Sequence, residues 1–232
     1  MPVYNEQDCI LDVVRSWIDI LDELKIRYEM LVINDGSRDN TRKILDDSRL
    51  PPRVHVIHKP NSGHGPTILQ GYRSAAMRAE WVFQCDSDNE MKAGDFDRVW
   101  SKRAGYDAVF GCRTNRKQPL SRKIISSVSR RAVRLFFGKG VDDVNVPYRL
   151  MRSQAIRDAV ERMPDDTATP NVILSGVLIQ EKARVLNVDI PYENRKTGTV
   201  SIKNLRLWKF ALRAFLQVIR WRFLSRPGRG IA

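Results

Sequence analysis

Three carboxylates on alternate residues, Asp86, Asp88 and Glu90, follow the apolar run Trp81-Val82-Phe83. The run reads as a buried strand, and in an open α/β sheet ligands collect where strands end. Such oxygens suit Mg²⁺ or Mn²⁺, which takes one or two protein carboxylates and fills its shell with substrate phosphate and water. Asp86, Asp88 and Glu90 are therefore candidate metal ligands. Asp, Ser and Asn are also ordinary turn residues, so an isolated Asp-x-Asp establishes little. Its context decides.

The second group that can do chemistry is cationic. Nine Lys and Arg and no acid lie between Arg113 and Lys139, and eight more with no acid lie between Ser201 and Ala232. The formal net charge is +13, so the rest of the chain is net acidic. Two basic attachments on an acidic body imply an anionic partner: phosphate, nucleic acid or a membrane surface. A nucleic-acid stripe should interleave aromatics for base stacking. Between Arg113 and Lys139 the only aromatics are the adjacent Phe136 and Phe137, which argues against nucleic acid. His64, between Gly63 and Gly65, reads as an ordinary loop histidine.

The elements that must position these groups follow from periodicity. Ile10, Val13, Val14, Trp17, Ile18, Leu21 and Leu24 mark one helical face. Tyr28–Ile33 reads as a strand ending in Asn34-Asp35-Gly36-Ser37, and Asp39-Asn40-Thr41 can cap a short helix running toward Ser48. Val54–Ile57 is a strand, 61–66 a loop, and Thr67 to about Ala79 a helix leading into the strand before Asp86. Phe96–Lys102 and Arg122–Phe137 read as helices, with a strand over Asp107–Gly111 before the latter. Val144–Arg152 is a strand, Pro170–Lys182 a helix, Val185–Ile190 the last strand and Leu205–Phe223 the last helix. This cadence predicts one α/β domain, Rossmann-like, with a mostly parallel sheet flanked by helices. A chain of 232 residues with 42% hydrophobic content supports a core of that size.

The three cysteines, Cys9, Cys85 and Cys112, lack metal-site spacing and read as reduced thiols in a cytosolic compartment. Acids at Glu6, Asp8 and Asp12 interrupt the start, so no secretory signal is visible there. No apolar run is long enough to span a bilayer. The last helix carries Leu205, Trp208, Leu212, Phe215, Leu216, Ile219 and Phe223 on one stripe, with Arg206, Lys209, Arg213 and Arg220 on much of the other side. That pattern predicts a basic amphipathic helix, within 203–232, lying on a membrane surface.

Taken together, Pro2-Val3-Tyr4-Asn5-Glu6, Asn34-Asp35-Gly36-Ser37-x-Asp39-Asn40-Thr41, Asn61-x-Gly63-x-Gly65 and Asp86-x-Asp88 resemble glycosyltransferase family 2, with its GT-A fold. Gly111-x-Arg113, Arg122-x-x-x-Ser126, Asp143-x-x-x-x-Tyr148-Arg149 and Arg195-x-x-Gly198 are similar to polyprenyl-phosphate hexose synthases such as dolichyl-phosphate mannose synthase. The likeness covers nearly the whole chain and implies a GT-A domain over 1–202. It also implies an inverting transfer of a hexose from a GDP- or UDP-sugar to a polyprenyl phosphate with Mg²⁺ or Mn²⁺. The enzyme is then expected to be cytoplasmic and peripheral on the inner face of the membrane.

The resemblance assigns roles residue by residue. Pro2, Tyr4, Glu6, Asp35 and Asp86 would hold the nucleotide, and Asp86, Asp88 and Glu90 the metal. Arg113, Arg122, Ser126 and Arg195 would hold the acceptor phosphate, and Asp88, Arg113 and Arg122 would carry catalysis. A hydroxyl acceptor needs a general base, whereas a phosphate monoester is largely ionised at neutral pH and needs a cationic cradle, for which Arg has bidentate geometry. Three departures stand out: Asn34 where relatives have Asp, Glu90 where they often have Gln, and Pro147 where many have Gly. The fold also expects a buried strand before Pro2-Val3-Tyr4, so a Val/Ile-rich run is expected upstream. Other readings are transfer to a sugar hydroxyl and a non-catalytic basic anion-binding protein. A sugar nucleotidylyltransferase would show a glycine-rich basic loop after its first strand, which Pro2–Glu6 is not.

Overall fold

The computed structural model describes residues 1–114, 131, 135, 137, 138, 140–193, 212, 213, 215–221 and 223. In chain order these form β1 (Pro2–Val3), α1 (Ile10–Glu23), β2 (Met30–Asp35), α2 (Thr41–Asp47), β3 (Val54–Lys59), α3 (His64–Ala76) and β4 (Trp81–Cys85). There follow α4 (Asp97–Trp100) between two short 3₁₀ turns, β5 (Ala108–Thr114), β6 (Tyr148–Arg152), α5 (Ser153–Arg162), α6 (Pro170–Gln180) and β7 (Val185–Pro191). Strands β1-β2-β3 form one parallel sheet, and β4-β6-β5-β7 form a second. In the second sheet β6 runs antiparallel to both neighbours, while β5 and β7 are parallel. Parallel pairs thus predominate, with one reversed strand that periodicity does not reveal. The first strand is the two-residue β1, and among the described residues no pairing joins it to β4.

Helix α1 buries Ile10, Val13, Val14 and Trp17, the three- and four-residue spacing of one helical face. It ends where Lys25 takes a positive φ of 52° and Ile26 N–H bonds back to the Leu21 carbonyl, a left-handed cap. The Trp17 indole packs on Phe83 of β4 (centroids 5.2 Å) and Tyr148 of β6 (5.9 Å), locking α1 onto the second sheet. Helix α6 is buried on all sides from Pro170 to Leu178, as expected for a helix apolar around its whole circumference.

Two expectations need correction. Helix α3 starts at His64 rather than Thr67, because Gly63 at φ 99° makes the break and Pro66 sits in the first turn, where its missing N–H is harmless. Gly65 can then sit against the backbone of Thr167 and Ala168. A Cβ there would lie 2.3 Å from the Ala168 carbonyl oxygen. Helix α5 is not evident from periodicity: Ile156, Ala159 and Val160 form its buried face, a stripe too narrow among charged residues to stand out. The cap of α2 is also refined, since the Thr41 N–H bonds the Asp39 carboxylate (3.0 Å) and Asn40 makes no side-chain cap.

Arg149 is a cation set in the core. Arg149 is fully buried and donates to the carbonyls of Val146 (3.1 Å), Asn171 (2.9 Å) and Val144 (3.1 Å) and to Ser175 Oγ (3.2 Å), with its guanidinium over the Phe110 ring (4.3 Å). Arg149→Leu should therefore lower unfolding free energy by more than about 3 kcal/mol, since it orphans several buried acceptors at once. Chemical denaturation of wild type and variant measures this; a loss under about 1 kcal/mol would contradict it.

Candidate active site

Strand ends deliver the candidate groups. Asp35 closes β2, Asp86 follows β4, and Arg113 is the penultimate residue of β5. The opening turn, Pro2 to Glu6, is stitched to the segment after β2. Asn5 N–H donates to Ser37 Oγ (2.9 Å), Arg38 N–H to Asn5 Oδ1 (2.8 Å) and Glu6 N–H to Thr41 Oγ1 (2.8 Å). Pro2, Tyr4, Glu6 and Asp35 thus share one region, with Pro2, Glu6 and Asp35 buried and Tyr4 half-buried.

Asp35 is already engaged. Its oxygens accept from Ser62 N–H (2.8 Å), Gly63 N–H (2.9 Å) and the Lys59 ammonium. The carboxylate therefore shapes the loop into α3, and Lys59, unremarked in the sequence, is its counter-ion. Asn34, standing in place of an acid, accepts from Ser37 Oγ (2.6 Å) and N–H (3.1 Å), and its amide nitrogen contacts His58 Nδ1 (2.9 Å). A second carboxylate there would repel Asp35; the amide instead donates to His58.

The loop held by Asp35 leads to His64, whose Nε2 lies 3.7 Å from Asp86 Oδ1. His64 therefore faces the central carboxylate, which its glycine-flanked setting concealed. Burial pushes the Asp86 carboxyl above its ordinary value; His64 and Arg113 pull it back, and Asp88 pushes it further up. Asp88 Oδ1 accepts from Glu90 N–H (3.1 Å) across Asn89, which sits at φ 58°. Among the described residues no three His, Cys, Asp or Glu side chains converge to hold a metal. Two hard oxygens, one desolvated and repelled by the other, still fit a divalent cation that shares its shell with a diphosphate.

Arg113 makes a two-bond pair with Asp143, Nε to Oδ2 at 2.6 Å and Nη2 to Oδ1 at 2.8 Å, leaving its Nη1 edge outside the pair. The resemblance assigns Arg113 to the acceptor phosphate; the structure shows the carboxylate that holds its guanidinium. Arg122, Ser126 and Arg195 lie outside the described residues. The cysteines are free, and burial pushes the Cys85 thiol up to about 12 and Cys112 up to about 11, so neither is a thiolate at neutral pH.

Residues 212, 213, 215–221 and 223 are helical. Val218 and Trp221 are 3% and 6% exposed and pack on the domain. Gln217 Oε1 accepts from Ala168 N–H (2.7 Å), and Arg213 pairs with Asp166 (2.6 Å). Leu212, Leu216 and Phe223 face solvent at 60%, 55% and 59% exposure. Among the described residues no helix is long and apolar enough to cross a membrane.

Parallel β1-β2-β3, the mixed β4-β6-β5-β7 sheet and carboxylates at the end of β4 define a GT-A fold. Solved structures agree at the level of fold. Mannosyl-3-phosphoglycerate synthase from Rubrobacter xylanophilus superposes with a TM-score of 0.67 at 13% identity, covering 100% of this chain and 76% of that one. Glucosyl-3-phosphoglycerate synthase from Mycobacterium tuberculosis, in complex with Mn²⁺, UDP and phosphoglyceric acid, gives 0.68 at 14% identity over 99% of this chain and 78% of its own. The family model described as glycosyl transferase family 2 matches residues 1–161, and the chain belongs to that family. A curated relative, undecaprenyl-phosphate 4-deoxy-4-formamido-L-arabinose transferase from Shewanella sediminis (strain HAW-EB3), is 25% identical over 238 residues, covering 100% of this chain and 70% of the relative.

Proposed function

We propose that this family 2 glycosyltransferase moves a hexose, with inversion, from a nucleotide sugar to a polyprenyl phosphate. Residues 1–202 would be the catalytic domain and 203–232 its attachment to the inner, cytoplasmic face of the membrane. The observation that carries the reading is the helix at 212–223, docked by Val218 and Trp221 while Leu212, Leu216 and Phe223 stand in solvent. A lipid acceptor accounts for that outward apolar face on a basic segment. The likeness over the full chain to a transferase named for undecaprenyl phosphate supports the same acceptor class. Transfer to a small hydroxyl acceptor, as the names of the phosphoglycerate synthases imply for those proteins, leaves that face without a use.

In this reading Pro2, Tyr4, Glu6 and Asp35 surround the base and ribose. Asp86 and Asp88 would hold Mg²⁺ or Mn²⁺ beside the diphosphate. Such a cation, when bound, neutralises charge on the departing diphosphate. An ionised acceptor oxygen attacks the anomeric carbon from the side opposite the diphosphate. The new C–O bond forms as the bond to the diphosphate breaks, and the nucleoside diphosphate leaves with the electron pair. No proton has to be removed, so a cationic cradle replaces a general base. Arg113, held by Asp143, would present its Nη1 edge to the acceptor phosphate, with Arg122, Ser126 and Arg195 completing the cradle.

The test is transfer of labelled sugar from UDP- and GDP-hexoses to a short polyprenyl phosphate, with the parent polyprenol and 3-phosphoglycerate as controls. Transfer to a hydroxyl control alone would overturn the lipid-phosphate reading. Arg113→Ala should weaken acceptor use by about 1.5–3 kcal/mol, the value of a charge-assisted contact, read as a rise in acceptor KM. Donor KM should stay within about twofold, a ratio worth less than 1 kcal/mol. An equal loss on both substrates would place Arg113 at the diphosphate.

A further inference from the structure

A buried polar chain runs to Asp86 from the opposite side of the core. Gln84, on β4 two residues before Asp86, donates from Nε2 to Asp86 Oδ1 (2.9 Å). Its Oε1 accepts from Asn171 Nδ2 (3.0 Å), and Asn171 Oδ1 accepts from the Tyr72 hydroxyl (2.7 Å). The Asn171 carbonyl in turn accepts from Arg149. Gln84, Asn171, Tyr72 and Arg149 are all buried.

The direction of every bond is set at one end. Asp86 accepts there from Gln84, so Gln84 presents its NH₂ to Asp86 and its oxygen to Asn171. Asn171 must then present its NH₂ to Gln84 and its oxygen to Tyr72. Burial pushes the Tyr72 hydroxyl above its ordinary value, so it remains protonated and donates. A buried amide is costly unless its partners are supplied. An apolar pair at 84 and 171 would fill the same space without that demand. The amides are arranged instead so that one N–H is aimed at the carboxylate.

We propose that Gln84, oriented by Asn171 and Tyr72, is a positioning residue that fixes the Asp86 carboxylate for binding a divalent cation at the donor diphosphate. This rests on the reading of Asp86 as a cation ligand. With Oδ1 held from the core side, the remaining lone pairs of the carboxylate face the site without a search over rotamers. Carboxylate ligands are themselves oriented by hydrogen-bonding partners, and loss of such a partner weakens metal binding about 10- to 100-fold.

The experiment titrates Mn²⁺ into the full chain and reads free Mn²⁺ by electron paramagnetic resonance, alongside the thermal midpoint. Three variants are compared with wild type: Gln84→Met, the triple Gln84→Met/Asn171→Leu/Tyr72→Phe, and Asp86→Asn. Gln84→Met should weaken Mn²⁺ binding about 10- to 100-fold and lower the midpoint, because the Asn171 amide loses its acceptor. The triple variant, with no orphaned amide, should recover the midpoint yet bind Mn²⁺ as weakly as the single; it also carries the measurement if the single folds poorly. Recovery of both properties in the triple variant would mean that the chain serves stability alone and would overturn the proposal. Wild-type affinity in Gln84→Met with weakened binding in Asp86→Asn refutes the positioning role and spares the reading of Asp86. Wild-type affinity in Asp86→Asn, or no binding by the wild type, removes that reading and the proposal with it.

Discussion

Asp88→Ala is expected to reduce sugar transfer by at least about 10²- to 10³-fold, the scale on which loss of one preorganised transition-state group is felt, with little change in thermal stability. Asp88 lies in a turn, where its carboxylate accepts one backbone N–H from Glu90, so its removal leaves no cavity in the core. Asp86→Asn should be equally inactive but different in stability. Burial raises the Asp86 pKa in the folded protein, so ionisation there opposes folding. The penalty is full above the raised folded value, shrinks as pH falls through it, and vanishes below the unfolded value of about 3.9. At pH 7 the Asn variant should therefore melt at or above the wild-type temperature, and the difference should close as the pH is lowered toward 4. Melting curves at several pH values, together with transfer assays, decide this. An active Asp86→Asn would show that the carboxylate is dispensable for transfer, and one that melts lower than wild type at pH 7 would show that it is structural. A site that retains a destabilising charge is expected where function rather than stability selects the residue.

Much of this site was legible because chemistry and periodicity coincide along the chain. The apolar run at 81–83 announced a strand with carboxylates just beyond its end, and the structure places Asp86 directly after β4. The apolar spacing of α1 likewise fixed its buried face. Other features depend on contacts distant in sequence. Nothing local to Asp35 reveals that Lys59, Ser62 and Gly63 occupy its oxygens. Nothing near Arg113 marks Asp143, thirty residues on, as its partner. The reversed direction of β6 escapes for a related reason: a buried strand reads the same whichever way its neighbours run. A glycine-flanked histidine such as His64 looks like loop in sequence, whereas Gly63 breaks the chain and His64 opens α3 facing Asp86. The apolar stripe read for the last helix includes Leu212, Leu216 and Phe223, which face solvent, while Val218 and Trp221, outside that stripe, are the residues that are buried. Periodicity shows that residues are apolar, while only packing shows that Val218 and Trp221 turn inward and Leu212, Leu216 and Phe223 outward.

That division sets the last prediction: glutamate at Leu212, Leu216 and Phe223 together should release the protein from anionic vesicles without unfolding it. The three positions recur at steps of four and seven residues, so they form one stripe. The stripe cannot roll under the domain, because Gln217 is bonded to the Ala168 N–H and Arg213 to Asp166. Burying such side chains among acyl chains is worth about 1.5–3 kcal/mol each. Losing all three should therefore lower partitioning by more than about 10³-fold, at 1.4 kcal/mol per tenfold. Each Lys or Arg near an anionic leaflet adds about 1 kcal/mol, and the sequence supplies Lys203, Arg206 and Lys209 before the stripe with Arg220 and Arg222 around its end. Binding should accordingly weaken as salt rises, since exposed charges are screened within about 10 Å at 0.1 M. Co-sedimentation of the intact protein, the triple glutamate variant and a form ending near Lys203 reads this directly. A wild type that stays in the supernatant at low salt, or a triple variant that still sediments, would leave the exposed leucines and Phe223 without a membrane role. Trp221→Ala provides the contrast: it empties a buried contact on the docked face and should lower the thermal midpoint, while leaving the outward stripe intact.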